Sequence, residues 1–299
     1  MKLKTEKSID CGSFILVDEA ILNSAVEISD IVHAMVEDLK KRDHEQHLKK
    51  LTPIFRGESQ KYNTTLLPGI FRKMVNERLP PSYERNVYNK FMKFYSMFTD
   101  KQPLSILSIM QHYGFPTRIL DWTLSLEVAL YFCCRNNRTK DGYLYVYLPT
   151  MTYLKDGKYE IPLDAFCDSV QYHYFKQVLL EHSEKSHQQF WVDLTNNPDR
   201  MIDTTIVPWW LVFKPNDLEI INYRQKMQHS VFTFHLGYIN DSNLYAAPPL
   251  FTKFAKQSVS RIVIPARLKS EIIYNIEKSN IVTSTLFPEP VFLDEDYLY

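Results

Sequence analysis

Glycine is scarce in this chain, with 7 glycines among 299 residues, and this limits the folds that could bind a nucleotide through the backbone. Neither a GxxxxGKS/T pattern nor a GxGxxG pattern occurs. These glycine-rich turns form the phosphate cradles of P-loop and Rossmann proteins, because their backbone amides approach the phosphate closely. The sequence therefore excludes both cradles, and side chains or a different backbone arrangement must hold any bound nucleotide.

Charge and cysteine content narrow the functional classes further. Basic and acidic side chains number 35 each, so the chain lacks the basic surplus typical of proteins that bind DNA through its phosphates, although a local basic groove is compatible with this balance. The 4 cysteines form no CxxC pattern, which favours reduced thiols and disfavours a structural zinc site. Neither a signal peptide nor an apolar run of about 18 residues is found, so we expect a cytoplasmic protein without membrane contact.

Hydrophobic periodicity predicts an alternation of helices and short strands. Helices are expected at Leu22–Lys50, where Ser24 and Glu27 suggest a capping box, and at Ser82–Phe98, Pro103–Gly114, Ser125–Arg135 and Pro265–Lys278. Strands are expected at Thr52–Phe55, Arg118–Trp122, Gly142–Leu148, Ile206–Phe213, Ser230–Leu236 and Arg261–Ile264. This order predicts an α+β fold, in which several helices flank a mixed, mainly antiparallel sheet core.

The same pattern suggests a division of the chain into three parts. Residues 1–50 are expected to be an N-terminal helical extension, and residues 51–290 the main domain. Within that domain, weak periodicity at about 155–205 indicates an insertion. Residues 291–299 are expected to form an acidic tail.

Arg56 is the first candidate for binding chemistry. It ends an apolar strand and is followed by Gly57 and Glu58. A guanidinium at a strand end, next to a residue that permits close backbone approach, is suited to a phosphate or a carboxylate. The alternative is a structural arginine that pairs with Glu58 or Asp121.

A second candidate cluster runs from His112 to Thr123. His112 falls in the last turn of a predicted helix, where the helix dipole favours a protonated ring, so it is equally compatible with an ordinary helix-end histidine. Arg118 and Asp121 are suited to ligand binding, but they are also suited to a buried ion pair that fixes the strand.

These residues resemble the FRG domain, a family named for its Phe-Arg-Gly motif. The resemblance is carried by Phe55-Arg56-Gly57, Leu67-Pro68, Arg72, the whole run from His112 to Thr123, Ala129–Phe132, Arg224, Gln228, Val231-Phe232 and Leu286-Phe287-Pro288. One departure is Ser230, where the family pattern has glycine. Many members of the family look like parts of bacterial defence or toxin systems, so the resemblance implies that context for this chain.

The order of elements is also similar to the ADP-ribosyltransferase fold, and this similarity implies NAD as a ligand. Carried over, Arg56 would hold the phosphate or ribose, Thr123 would support the cleft, and Trp122 or Tyr113 would stack on nicotinamide. Gln228 or Ser230 stands where that fold carries a late glutamate, so Glu58 or Asp121 must supply the carboxylate if the chain is an enzyme. The expected catalytic residues are thus Arg56, Glu58, His112, Asp121 and Gln228, and the expected substrate-binding residues are Tyr113, Arg118, Trp122 and Thr123.

Two other functions are compatible with the sequence. In the first, the same arginines and aromatic rings bind a nucleotide or a single-stranded nucleic acid without turnover. In the second, which has the least support, His112 and Asp121 act with a metal ion in a nuclease or hydrolase. No metal is expected, because the sequence contains no HExxH or paired DxD pattern. The protein or nucleic-acid target is not indicated by any pattern.

Overall fold

The computed structural model describes residues 9–11, 14–42, 52–76, 83–94, 103–149, 210–213, 222–235, 238–239, 245–246 and 257–288. Its strands are β1 (Ile9–Cys11), β2 (Phe14–Ile21), β3 (Ile54–Glu58), β4 (Ile119–Thr123), β5 (Gly142–Tyr147), β6 (Trp210–Phe213), β7 (Ser230–His235), β8 (Tyr238–Ile239), β9 (Tyr245–Ala246) and β10 (Gln257–Ile264). Eight of them form one sheet in the order β1-β2-β10-β5-β3-β4-β7-β6, and β8 pairs with β9. Within the large sheet β2 and β10 are parallel, and the other described neighbours are antiparallel.

Helices flank this sheet, so the predicted α+β fold is confirmed. They are α1 (Ile28–Arg42), α2 (Gly69–Asn76), α3 (Tyr83–Phe94), α4 (Pro103–His112), α5 (Leu126–Cys134), α6 (Tyr223–Met227), α7 (Lys269–Glu277) and α8 (Thr283–Leu286). The local signals explain several boundaries. Ser125 caps α5 by accepting a hydrogen bond from the Val128 amide at 3.2 Å, and Gly114 ends the α4 segment with a φ of 80°.

Each face of the sheet carries its own hydrophobic core. On one face α1, α5 and α7 pack against apolar strand residues such as Phe55, Leu144 and Ile262. On the other face a second cluster is rich in aromatic rings, including Phe14, Trp122, Tyr145 and Tyr147. Because side chains alternate along a strand, consecutive residues such as Phe55 and Arg56 point to opposite faces.

Gly57 allows α5 to pack closely on β3. A Cβ atom at this position would lie 1.9 Å from the backbone oxygen of Ala129 and 2.9 Å from the backbone nitrogen of Cys133. Any side chain would therefore push the helix away from the strand. The close backbone approach expected at Gly57 exists, but the partner that approaches is α5.

Strands β3 and β4 separate soon after they meet. Their backbone register contains a single pair, Phe55 opposite Thr123, whereas the neighbouring β4 and β7 pair along five positions from Ile119 to Thr123. The sheet therefore opens between β3 and β4 on the side of Arg56 and Asp121.

The N-terminal part of the chain differs from the prediction in two ways. The sequence predicts a helix from Leu22 and no strand before it, whereas β1 and β2 precede the helix and β2 pairs with β10 in the large sheet. The expected capping box is also wrong, since Ser24 makes no side-chain cap hydrogen bond and α1 begins at Ile28. Residues 43–50, the insertion at about 155–205 and the tail at 291–299 lie outside the described residues, so the three-part division stays a prediction.

Candidate functional site

The gap between β3 and β4 leads into a cleft with two lobes, which we call the Arg56 cleft. The first lobe has a volume of about 250 Å³ and the second about 430 Å³. Both lobes are lined by Arg56, Gly57, Phe132 and Arg224, so they adjoin each other at these residues. The combined volume of the two lobes falls within the roughly 300–1,000 Å³ that is typical of small-molecule sites.

Arg56 lies where the two lobes meet and is held on two sides. Its Nη1 donates a hydrogen bond to the backbone oxygen of Asp121 at 2.7 Å, so the guanidinium bridges the gap between the strands. Its Nε lies 3.5 Å from Oε1 of Glu58, whose other oxygen accepts a hydrogen bond from Thr65 at 2.9 Å. That Nε is buried and has no hydrogen-bond partner among the described residues. The arginine is thus positioned but not fully paired, which suits it to bind an anion.

Three further arginines surround Arg56. Arg224 lines both lobes, and Arg72 and Arg135 line the second. Burial, followed by the like charge of Arg56, lowers the pKa of the Arg72 guanidinium, which reflects how close these two cations lie. With four arginines against the two carboxylates of Asp121 and Glu58, the described lining has an excess of two positive charges. A concave surface of this charge attracts anions.

Asp121 presents its carboxylate to the first lobe. It is the exposed residue in a strand whose other residues are buried. Its Oδ2 accepts a hydrogen bond from Nε2 of Gln111 at 2.7 Å, and Oε1 of Gln111 accepts one from the Thr117 hydroxyl at 2.6 Å. Gln111 therefore fixes the orientation of Asp121. Oδ1 has no hydrogen-bond partner among the residues that the structure describes.

The turn between α6 and β7 forms another wall of the first lobe. The Thr123 hydroxyl donates to the backbone oxygen of Gln228 at 2.7 Å, which joins this turn to β4. His229 adopts the left-handed conformation here, with a φ of 47°, and Ser230 begins β7. The turn therefore forms without glycine at position 230, because the preceding residue takes the positive φ.

The segment around α8 closes the second lobe. Nε2 of Gln228 donates to the backbone oxygen of Leu286 at 3.0 Å. The Phe287 ring lies 4.7 Å from the guanidinium carbon of Arg135 and 4.6 Å from that of Arg224. These cation–π contacts hold both arginines at the cleft wall.

The structure brings most of the predicted site residues together. Arg56, His112, Asp121, Thr123 and Gln228 all line the first lobe, and Glu58 lines the second. Their roles towards a ligand stay predictions. The lining residues that were not predicted as site residues include Arg72, Gln111, Arg135 and Arg224. Arg72 and Arg224 belong to the motifs that resemble the FRG domain, whereas nothing in the sequence distinguishes Gln111 or Arg135 from surface polar residues.

Arg118 and Tyr113 are not among the described residues that line the cleft, whereas Trp122 lines the first lobe but directs its indole elsewhere. Arg118 is buried and makes a two-bond ion pair with Glu84, with its Nε 2.6 Å from Oε1 and its Nη2 bonded to Oε2, so the alternative of a buried ion pair with Asp121 is wrong. The indole of Trp122 packs on the opposite face of the sheet, 5.5 Å from Phe14, because strand alternation turns it away from the Asp121 side. Tyr113 is not among the described residues that line either lobe, and its ring contacts His112 at 5.1 Å.

A known family matches the part of the chain that contains Arg56 and Asp121. Residues 52–142 match the family model of the FRG domain. The matched segment extends from just before β3 to the first residue of β5 and supplies one side of the cleft. Arg224, Gln228 and Phe287 lie beyond it, so the extension of the domain to residue 290 stays a prediction. The comparisons with curated proteins and with solved structures gave no match.

The residues that the structure describes contain no group of three or more His, Cys, Asp or Glu side chains that could hold a metal ion. Among the helices in these ranges, none is long and apolar enough to cross a membrane.

Proposed function

We propose that the Arg56 cleft binds a nucleotide of the NAD type, with its diphosphate on the arginines. The observation that carries this proposal is the gap between β3 and β4, where Arg56 is fixed by the backbone of Asp121 and lies among three other arginines. A diphosphate carries a negative charge on each phosphate, which matches the excess of two positive charges in the described lining. Guanidinium groups also fit phosphate oxygens through paired hydrogen bonds.

The two carboxylates at the cleft have different surroundings, and we infer different roles for them from this difference. Glu58 is buried, and its oxygens are directed to Arg56 and Thr65, so it positions the arginine. Asp121 is exposed in the first lobe and held by Gln111, so it is the carboxylate that would face the ribose. The amide of Gln228 is directed to the backbone of Leu286 and carries no charge that could replace a glutamate.

The reaction that fits these roles is cleavage of the bond between nicotinamide and ribose. The bonding electrons leave with the nicotinamide ring and neutralise its positive charge, while C1′ of the ribose becomes electron-deficient. The carboxylate of Asp121 stabilises this developing positive charge. Water or a target nucleophile then bonds to C1′, and its proton passes to His112, which lines the same lobe. An NAD-consuming effector of bacterial defence or toxin systems is the context in which we place this activity.

The test measures NAD binding by calorimetry and nicotinamide release by chromatography on the full chain. Arg56→Ala should weaken NAD binding by about tenfold or more, since a charge-assisted hydrogen bond contributes roughly 1.5–3 kcal/mol. Asp121→Asn should leave binding within about threefold and slow nicotinamide release by roughly 10²–10³-fold. Arg138→Ala, at an exposed arginine of the α5–β5 turn, is the matched control and should behave as wild type. The proposal fails if wild type does not bind NAD, or if Arg56→Ala binds it as well as Arg138→Ala does.

A second candidate is a binding module without turnover. The amide of Gln228, in the place where a carboxylate is expected, favours this alternative. In that case wild type would bind NAD with the same dependence on Arg56, but neither wild type nor Asp121→Asn would release nicotinamide.

A further inference from the structure

A second concave surface, which we call the α2–α3 groove, lies next to the Arg56 cleft. It has a volume of about 740 Å³ and lies between α2, α3 and the turn after α4. It shares Arg72 with the second lobe of the cleft and Gln111 with the first. The proposed nucleotide binding does not use the rest of this groove.

One face of each helix forms the walls. The lining residues of α3 follow the i, i+3, i+4, i+7 spacing of a single helical face, namely Tyr83, Asn86, Val87 and Lys90. The adjacent side of α3 is anchored in the protein, because Glu84 binds Arg118 and the Phe91 ring contacts that of Phe115 at 5.4 Å. The wall that α3 contributes to the groove is therefore a fixed helix.

All the charged side chains among the described lining residues of the groove are basic. Arg72, Lys73 and Lys90 line it, and none of the described lining residues is acidic. The chain as a whole has a formal net charge of zero, so this is a local concentration of positive charge. Such a groove attracts a ligand that carries several negative charges.

The groove also contains a ring and amides. Nζ of Lys73 lies 5.5 Å from the centre of the Tyr83 ring, which places a cation beside an aromatic surface. Asn86 is exposed, and its amide can both donate and accept hydrogen bonds, as can that of Gln111. A positively charged groove with an aromatic side chain is the combination that binds single strands of nucleic acid, whose phosphates pair with the cations and whose bases stack on the ring. An acidic peptide would use the cations but not the ring.

We propose that the α2–α3 groove binds single-stranded nucleic acid. This site adjoins the nucleotide site, with which it shares Arg72 and Gln111, but it does not require that the Arg56 cleft bind NAD. If each of its three cations neutralises one phosphate, the logarithm of the binding constant should fall with the logarithm of salt concentration with a slope of about −2.

The experiment measures fluorescence anisotropy of a labelled oligouridylate, with the full chain titrated at several salt concentrations. Lys73→Gln/Lys90→Gln should weaken binding by about tenfold or more and reduce the magnitude of the slope by roughly 1.4. Lys140→Gln/Lys278→Gln, which changes two exposed lysines outside the groove, is the matched control and should bind as wild type. Lys73→Arg/Lys90→Arg keeps the charge and should keep the affinity and the salt slope. Loss of binding in the glutamine variant can then be attributed to the lost charge.

Three results would overturn the proposal. The first is no binding by wild type, and the second is equal binding by the groove variant and its control. The third is tighter binding of a polyglutamate peptide than of the oligonucleotide, which would identify the groove as a site for an acidic protein. Calorimetry with NAD separates this proposal from the nucleotide site, because the Lys73→Gln/Lys90→Gln variant should bind NAD as wild type does.

Discussion

Acidification should destabilise this protein through His235, which is buried on β7 behind the cleft. Its Nε2 lies 2.7 Å from the hydroxyl oxygen of Thr233, and that oxygen accepts a hydrogen bond from the indole of Trp122 at 3.0 Å. The Thr233 hydroxyl can complete this network by donating its proton to Nε2, which requires a neutral imidazole. Burial, followed by the positive charges of Arg118 and Arg56, lowers the pKa of His235 from 6.5 to about 3.

The sign of the effect follows from this lowered pKa. Between pH 6.5 and about 3 the unfolded chain binds a proton at this histidine and the folded protein does not. The stabilising contribution of the neutral ring is therefore complete above pH 6.5 and is lost progressively as the pH falls. At pH 5 the free energy of unfolding should be about 2 kcal/mol lower than above pH 6.5, since each pH unit below 6.5 removes roughly 1.4 kcal/mol. A loss of this size lowers the Tm of a chain of 299 residues by roughly 3 °C, since the entropy of unfolding is about 2.1 cal/mol/K per residue.

The assay compares thermal unfolding of wild type and His235→Gln at about pH 7.5 and pH 5. Glutamine keeps an acceptor for the Thr233 hydroxyl but does not titrate, so wild type should lose about 2 kcal/mol more than the variant on acidification. His33→Gln removes an exposed imidazole from α1 and should show the pH dependence of wild type. Equal pH dependence of wild type and His235→Gln would show that this ring is not held neutral in the folded protein.

Two further predictions concern stability, and both are measured as urea midpoints. Gly57→Ala should lower the free energy of unfolding by about 3 kcal/mol or more, because the added Cβ would lie 1.9 Å from the Ala129 oxygen. Gly69→Ala is its control, since the nearest atom to the added Cβ would be 3.5 Å away. Equal midpoints of the two variants would contradict the close packing of α5 on β3. Glu84→Gln should lower the free energy of unfolding by about 3–5 kcal/mol, because it leaves the buried Arg118 charge uncompensated. The double variant Glu84→Leu/Arg118→Met should recover most of that loss. A loss below about 1 kcal/mol in Glu84→Gln would mean that water or another group already solvates this arginine.

Local sequence signals predicted the elements that carry the cleft. The apolar strand before Arg56, the serine before α5 and the glycine after α4 each act over a few residues, so their effects are readable without the fold. Short helices have too few residues for a clear hydrophobic periodicity. α2 has eight residues and buries Ile70 and Phe71, which is too little periodicity to separate it from an irregular segment.

Contacts between residues far apart in the chain could not be predicted from the sequence. Arg118 immediately precedes β4 and lies three residues before Asp121, so their side chains point in opposite directions and Arg118 pairs with Glu84 from α3. Glu84 lies 34 positions away, and its buried position has no local signature. In the same way β2 reaches the large sheet by pairing with β10, more than 200 residues later in the chain. Such contacts depend on the assembled sheet and not on any window of residues.

Strand alternation explains why an arginine and a glycine stand next to each other at the cleft. A strand that lines a cleft on one side and supports a helix on the other must meet two different demands at consecutive positions. Arg56 extends into the gap and contacts Asp121 of the next strand, whereas Gly57 turns to α5, where even a methyl group would collide with the helix backbone. The packing of α5 fixes the position of β3, and β3 in turn fixes the guanidinium against the backbone of β4. A substitution at Gly57 should therefore disturb the anion site even though its own contact is with the helix, and the Phe-Arg-Gly motif is best understood as one structural unit.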